Sequence, residues 1–248
     1  MEFDLGMILL FAAIAFLGSF VYGVTGFGSG LITIPLASHF HEMRFVLAVF
    51  ALLDIVNAIR VCVSQPRAVV ADEAVRLVPS CIVGVAIGAL LILVLPARLL
   101  MLALGIFVCA YAVYSLTGAG SLPTIRRHWA YVAGLAGGIT SAMFGAGGPP
   151  YAIYLSMRPH GKEQIRATLA ITSLVSIFTR LLAFGFAGLL SSWKVWSTAL
   201  AIVPVALLAL WWADHLHRGL SRHAVIRAIQ IVLCLAGISL VVRAIGSA

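Results

Sequence analysis

The sequence predicts an all-α polytopic membrane protein built from two homologous four-segment halves arranged as inverted repeats. Three observations carry this expectation. The chain is 62% hydrophobic and 10% charged, with a mean hydropathy of +1.12. A soluble domain is about a quarter charged, so this chain lacks the polar groups to cover its own surface in water. Its apolar stretches have the length of bilayer crossings, about 20 residues. Two of them carry glycine-rich interruptions at matching places, Thr25-Gly26-Phe27-Gly28-Ser29-Gly30 and Phe144-Gly145-Ala146-Gly147-Gly148-Pro149-Pro150.

The first half, residues 1–120, opens with an acidic flank, Glu2 and Asp4, before the apolar run Leu5 to Val24. A secretory leader would have a basic flank and a small-residue cleavage site, so this run reads as a retained segment. The apolar block continues to Ser38. As one helix it would be about 50 Å long, too long for a single crossing. It therefore has to bend, and Gly23, Gly26, Gly28, Gly30 and Pro35 mark where. A polar joint from His39 to Arg44 follows, then spans over about 45–64, 77–95 and 99–116. The joint between the first two holds Pro66, Arg67, Asp72, Glu73 and Arg76. Pro96-Ala97-Arg98 makes the tight turn before the last.

The second half, residues 121–248, repeats the plan. A linker with Arg126 and Arg127 leads to a broken segment over 129–156, a polar joint from Met157 to Arg166, and spans over about 168–190, 195–212 and 224–242. The letters match Gly23-Val24-Thr25-Gly26 with Gly138-Ile139-Thr140-Ser141, then Phe27-Gly28-Ser29-Gly30 with Phe144-Gly145-Ala146-Gly147, with two residues inserted in the second copy. Arg60 and Arg180 fall at comparable places downstream.

The cations decide the orientation. If each broken segment crossed once, the loop Lys and Arg would divide six against eight. If each goes in and returns, one side collects Arg67, Arg76, Arg126, Arg127, Arg158, Lys162, Arg166, Arg218, Arg222 and Arg227. The other keeps Arg44, Arg98, Lys194 and Arg243. Ten against four obeys the excess of Lys and Arg in cytoplasmic loops. That topology makes the halves inverted repeats, the plan of alternating-access carriers. It also absorbs the net charge of +8 without a nucleic-acid partner, since no basic run has interleaved aromatics.

Other chemistry finds little support. Cys62, Cys81, Cys109 and Cys234 lie in apolar stretches with no CxxC pair and read as small buried hydrophobes. His39 with His41, and His215 with His217, are spaced i, i+2, which does not place two imidazoles on one helix face. No paired carboxylates, HExxH or activated nucleophile appears, so no enzyme activity, metal or cofactor is expected. Trp129, Trp193, Trp196, Trp211 and Trp212 fall at span ends, as an interfacial belt does.

The breaks are the candidate site. In a bilayer core, irregular backbone is tolerated only where protein or a water-filled cavity surrounds it. N–H groups freed at half-helix starts favour an anion there. Thr25, Ser29, Thr140 and Ser141 can add hydroxyl donors. Glycines in membrane helices also serve close packing, so packing is the competing reading. A second candidate is the face shared by Thr168, Thr172, Ser173, Ser176, Thr179 and Arg180. Its competing reading is hydroxyls bonded back to their own helix carbonyls. The matching span of the first half holds Asp54, Asn57 and Arg60. Ionisable groups inside spans are functional hypotheses by default. Either arginine can instead snorkel to the interface. Asp54 is the one mid-span carboxylate, suited to pairing with an arginine or to carrying a coupling proton.

The run Gly23-Val24-Thr25-Gly26-Phe27-Gly28-Ser29-Gly30-Leu31-Ile32-Thr33-Ile34-Pro35-Leu36 resembles the N-terminal signature of the TauE/SafE sulfite exporter family, also called the toluene-sulfonate uptake permease family. Gly134 to Pro150 resembles its second-half signature, with Ala142 where another glycine often stands. The resemblance spans the whole chain. It implies a multi-pass protein of the cell membrane, surrounded by lipid bilayer. It further implies secondary transport of a small anion such as sulfite, a sulfonate or a related organosulfur or organic acid. A coupling proton or Na+ and a homo-oligomeric state are compatible with it. The alternative is a channel for an anion or small solute with the same breaks as filter.

Overall fold

A computed structural model describes residues 5–64, 68–116, 124–216 and 235–242. Every regular element among them is helical: α1 (Leu5–Thr25), α2 (Ser29–Ala37), α3 (Met43–Ser64), α4 (Ala71–Val94), α5 (Ala97–Leu116), α6 (Trp129–Phe144), α7 (Gly148–Ser156), α8 (Lys162–Phe186) and α9 (Trp193–Leu216), followed by helical residues 235–242. Six of these, α1, α3, α4, α5, α8 and α9, are long and apolar enough to cross a membrane. The protein is thus a helical, multi-pass membrane protein. Of the predicted span 224–242, only 235–242 lies within the described residues.

Two spans begin earlier than hydropathy predicts, because polar first turns extend out of the apolar stretch. Asp72 and Glu73 occupy the first turn of α4, where a negative charge suits the helix dipole. Arg76 closes an i, i+4 ion pair with Asp72 at 2.6 Å. At the start of α8 the Gly161 N–H donates to Gln164 Oε1 at 2.9 Å, so the helix begins at Lys162 rather than near Thr168. The five tryptophans sit exposed near helix ends.

Each broken segment is a helical hairpin. Gly26 (φ 83°) and Gly28 (φ 91°) turn the chain after α1, and Gly145 (φ 64°) turns it after α6. All three occupy the left-handed region that glycine enters without strain. The short helix then lies back along the long one. A Cβ on Gly18 would be 2.3 Å from Thr33 Cγ2, and one on Gly137 would be 2.0 Å from the Tyr151 ring. The outer ends of each hairpin meet. Phe11 and His41 stack edge-on at 5.4 Å in the first. In the second, the Ile125 N–H donates to the Met157 carbonyl at 3.3 Å.

These hairpins open toward opposite ends of α4. Arg44, just past the first hairpin, donates to the Leu93 carbonyl at the C-terminal end of α4. Arg158, just past the second, pairs with Glu73 at the N-terminal end at 2.8 Å. The 24 residues of α4 separate those ends by about 36 Å.

The halves also exchange partners. Gly84 of α4 faces Gly138 of α6, while Gly88 packs on Ile139 and Ala142 and Gly134 on Leu77 and Ser80. A Cβ on Gly84 would be 2.2 Å from the Leu135 carbonyl, and one on Gly138 would be 2.2 Å from that of Cys81. In return α9 packs on α1, with Gly23 against Ala213.

The structure corrects the register read from the letters. Thr25 and Phe144 end α1 and α6, Ser29 and Gly148 start α2 and α7, and Met43 and Lys162 start α3 and α8; each pair is 119 positions apart. There is no two-residue insertion. Gly26 corresponds to Gly145, both left-handed. Asp54 then corresponds to Ser173, Asn57 to Ser176, and Arg180 to Val61 rather than to Arg60.

Candidate functional site

The two breaks meet each other inside the protein. A Cβ on Gly30 would lie 2.0 Å from the Gly145 carbonyl oxygen. The Phe27 ring lies over Gly148, 2.5 Å from where its Cβ would be. So α2 and α7 present their N-terminal ends to one small region, although Pro149 and Pro150 remove two of the donors of α7.

Across this junction runs a buried ion pair. Arg180 Nη2 donates to Asp54 Oδ2 at 2.7 Å, and both side chains are at most 3% exposed. Arg180 Nη1 donates to the Ser141 carbonyl at 2.8 Å, and Ser29 Oγ donates to Asp54 Oδ1 at 2.5 Å. One cluster thus joins α2 and α3 of the first half to α6 and α8 of the second. An ion pair shielded from water costs several kcal/mol per ion in desolvation, so it is weak support for stability alone.

Beside the pair lies a small cavity of about 20 Å3, room for roughly one water. Its walls include Tyr22, Phe27, Gly28, Ser29, Asp54, Ser141, Gly145, Gly147, Gly148, Tyr151, Ser173, Ser176 and Ile177. Tyr22 Oη, Ser173 Oγ and Arg180 Nε are buried there or at its edge without a hydrogen-bond partner in the protein. Buried polar groups are nearly always satisfied, so unpaired ones converging on a cavity require an explanation. A larger, open cleft of about 540 Å3 shares Phe27 with it as a wall residue.

The predicted residues divide clearly. Gly28, Ser29, Ser141, Gly145, Gly147, Gly148, Ser173, Ser176 and Asp54 line the cavity, and Arg180 holds Asp54 beside it. Gly26, Gly30, Ala146 and Pro149 build the turns and their close contact. Thr25 bonds the Val21 and Phe27 carbonyls and faces the open cleft. Thr140 and Thr172 bond back to their own helices, at Ala136 and Thr168, as the competing reading has it. Phe144 stacks on Phe107 at 5.6 Å in the core. Asn57 is buried and donates to Ser19 Oγ at 3.1 Å, outside the cavity wall. Arg60 is exposed and takes no part in the cluster.

Sequence reasoning missed Tyr22, Tyr151 and Ile177. The Tyr151 hydroxyl lies 3.0 Å from Cys81 Sγ and 3.4 Å from Ser176 Oγ. The available signal was position: each tyrosine stands one turn from a break.

Residues 10–240 match the family model described as Sulfite exporter TauE/SafE. The chain is 28% identical over 206 residues to a Cupriavidus necator protein named "Probable sulfite/organosulfonate exporter TauE", covering 77% of each. No solved structure matches it.

Proposed function

This chain belongs to the TauE/SafE sulfite exporter family, and from that premise we propose that it is a secondary carrier of a small sulfur oxyanion, sulfite or a sulfonate, in the cell membrane. The observation that carries this is the Asp54–Arg180 pair set where the two breaks meet, beside a cavity with unpaired polar atoms. A desolvated oxyanion needs several donors at once. Arg180, Ser29, Ser173, Tyr22 and Tyr151 converge to supply them, with the half-helix N–H groups behind. Asp54 stands in for the substrate when none is bound, holding the guanidinium that the substrate's oxygens would take. Protonation of Asp54 would release Arg180 to the anion, which links anion movement to a proton. A cavity of one-water size supports a carrier over a channel, since sulfite enters only if the hairpins move apart.

The reading includes alternating access by inverted repeats. Its supports are the opposed mouths of the hairpins and the exchanged α4–α6 and α9–α1 packing. In proteoliposomes, sulfite or methanesulfonate uptake is expected to saturate and to accelerate when the same anion is loaded on the far side. Uptake that stays linear with concentration and shows no counterflow would mean a channel.

Topology has its own check. In a chain with Cys62, Cys81, Cys109 and Cys234 replaced by alanine, Glu42→Cys is expected to react with an impermeant thiol reagent in intact cells. Gly161→Cys is expected to react only after permeabilisation. Labelling of both from the same side would refute the inverted arrangement.

A further inference from the structure

We propose that the open cleft is a second anion station, in which Arg166, assisted by Lys162, holds the oxyanion head group before or after it passes Phe27. This rests on the carrier reading above and adds a binding site outside the central cavity.

The cleft is large, about 540 Å3, and its wall carries two cations, Lys162 and Arg166, against one carboxylate, Glu163. Arg166 is held in place rather than waving in solvent. Its stem lies on the first break, with Cγ 3.5 Å from where a Gly26 Cβ would be, and its Nη2 donates to the Gly23 carbonyl at 3.2 Å. Among the described residues, Arg76, Arg127, Arg158 and Arg180 each reach a carboxylate, and Arg166 forms no ion pair. A guanidinium has five donors in a planar fork that suits two oxygens of one oxyanion. One of the five is spent on Gly23, and Arg166 forms part of the cleft wall. A half-buried, positioned and unneutralised arginine beside a cavity is the arrangement that captures an anion.

The two stations share one wall residue. Phe27 lines both the cleft and the central cavity. It stands between two left-handed glycines, Gly26 and Gly28. Its backbone is held by Thr25, whose hydroxyl donates to the Phe27 carbonyl at 2.5 Å. The shared residue therefore sits on a fixed, permissive turn. An anion on Arg166 approaches Arg180 once Phe27 gives way and the hairpins move apart.

The test is sulfite transport into proteoliposomes by the full-length chain, with calorimetric sulfite binding in detergent as a second readout. Arg166→Gln is expected to raise the half-saturating sulfite concentration about tenfold and to leave the maximal rate within about twofold. Arg166→Lys, which keeps the charge, is expected to restore half-saturation to within about threefold of the parent. An unchanged half-saturation in Arg166→Gln overturns the station. So does a rise that lysine fails to rescue, because that marks a structural role on the Gly26 turn. Failure of the carrier reading looks different: the parent chain itself moves neither sulfite nor methanesulfonate. In that event, sulfite binding that is equal in the parent and Arg166→Gln overturns the station, and binding weakened tenfold upholds it.

Discussion

Replacing Arg180 by glutamine is expected to abolish transport and to lower the thermal stability of the purified protein by about 10 °C. The size follows from what the substitution leaves behind. Asp54 is 2% exposed and keeps only the Ser29 hydroxyl as a partner once the guanidinium is gone. Removing one member of a buried ion pair costs about 3–5 kcal/mol, because the other charge stays buried and uncompensated. For a chain of this size 1 kcal/mol moves the midpoint by about 2–4 °C. The partner variant Asp54→Asn strands Arg180 in the same way, although its bond to the Ser141 carbonyl persists. The double variant Asp54→Asn with Arg180→Gln strands no charge, so it should be markedly more stable than the sum of the single losses. Transport separates the pair's two roles. If the pair were only a structural clasp, the double variant would regain flux along with stability. As a substrate site it should regain stability and stay inactive. Flux close to the parent's in Arg180→Gln would remove Arg180 from the site altogether.

Much of this cluster was legible in the sequence, for reasons of different strength. The breaks announce themselves because glycine and proline inside a 20-residue apolar run conflict with a helix that must satisfy its own backbone. The α8 face was legible because Ser173, Ser176 and Arg180 recur with the helix period. It also drew in Thr172, since a 100° step cannot separate a cavity wall from a hydroxyl turned back on its own carbonyl, which is where Thr172 Oγ1 goes at 2.8 Å. Arg60 was grouped with Arg180 by letter alignment. The equal spacing of the helix ends puts Val61 rather than Arg60 at the place of Arg180, and one residue on a helix is about 100° of rotation, enough to carry Arg60 from the interior to the surface. Tyr22 and Tyr151 escaped because tyrosine in a membrane protein ordinarily marks the interface. The GxxxG spacings at Gly84/Gly88 and Gly134/Gly138 were visible, but such a motif says that a helix packs closely and not on which partner. That α4 meets α6 is tertiary information.

The second large effect is expected from a single methyl group. Gly30→Ala should eliminate transport and destabilise the fold, while Gly185→Ala should be neutral or slightly stabilising. Both glycines are helical, so propensity alone favours alanine at each by up to about 1 kcal/mol. What differs is the space. At Gly185 no atom lies within 4 Å of a new Cβ. At Gly30 the new carbon would be 2.0 Å from the Gly145 oxygen, 2.5 Å from its carbonyl carbon and 2.9 Å from its Cα. These are backbone atoms of the other break, so no rotamer change relieves the clash and the two hairpins must separate. Overpacking of this kind costs about 1–3 kcal/mol, and more where backbone has to move. The same displacement would pull the Ser141 carbonyl and Gly145 away from Arg180, which lies 3.1 Å from the Gly145 Cβ direction. Stability and flux should therefore fall together in Gly30→Ala. The packing variant Gly84→Ala, whose new carbon meets the Leu135 carbonyl at 2.2 Å, lies away from the cavity and should lose stability with its half-saturating concentration unchanged. A Gly30→Ala protein that melts and transports like the parent would show that the breaks do not touch, and with that contact would go the central site built on it.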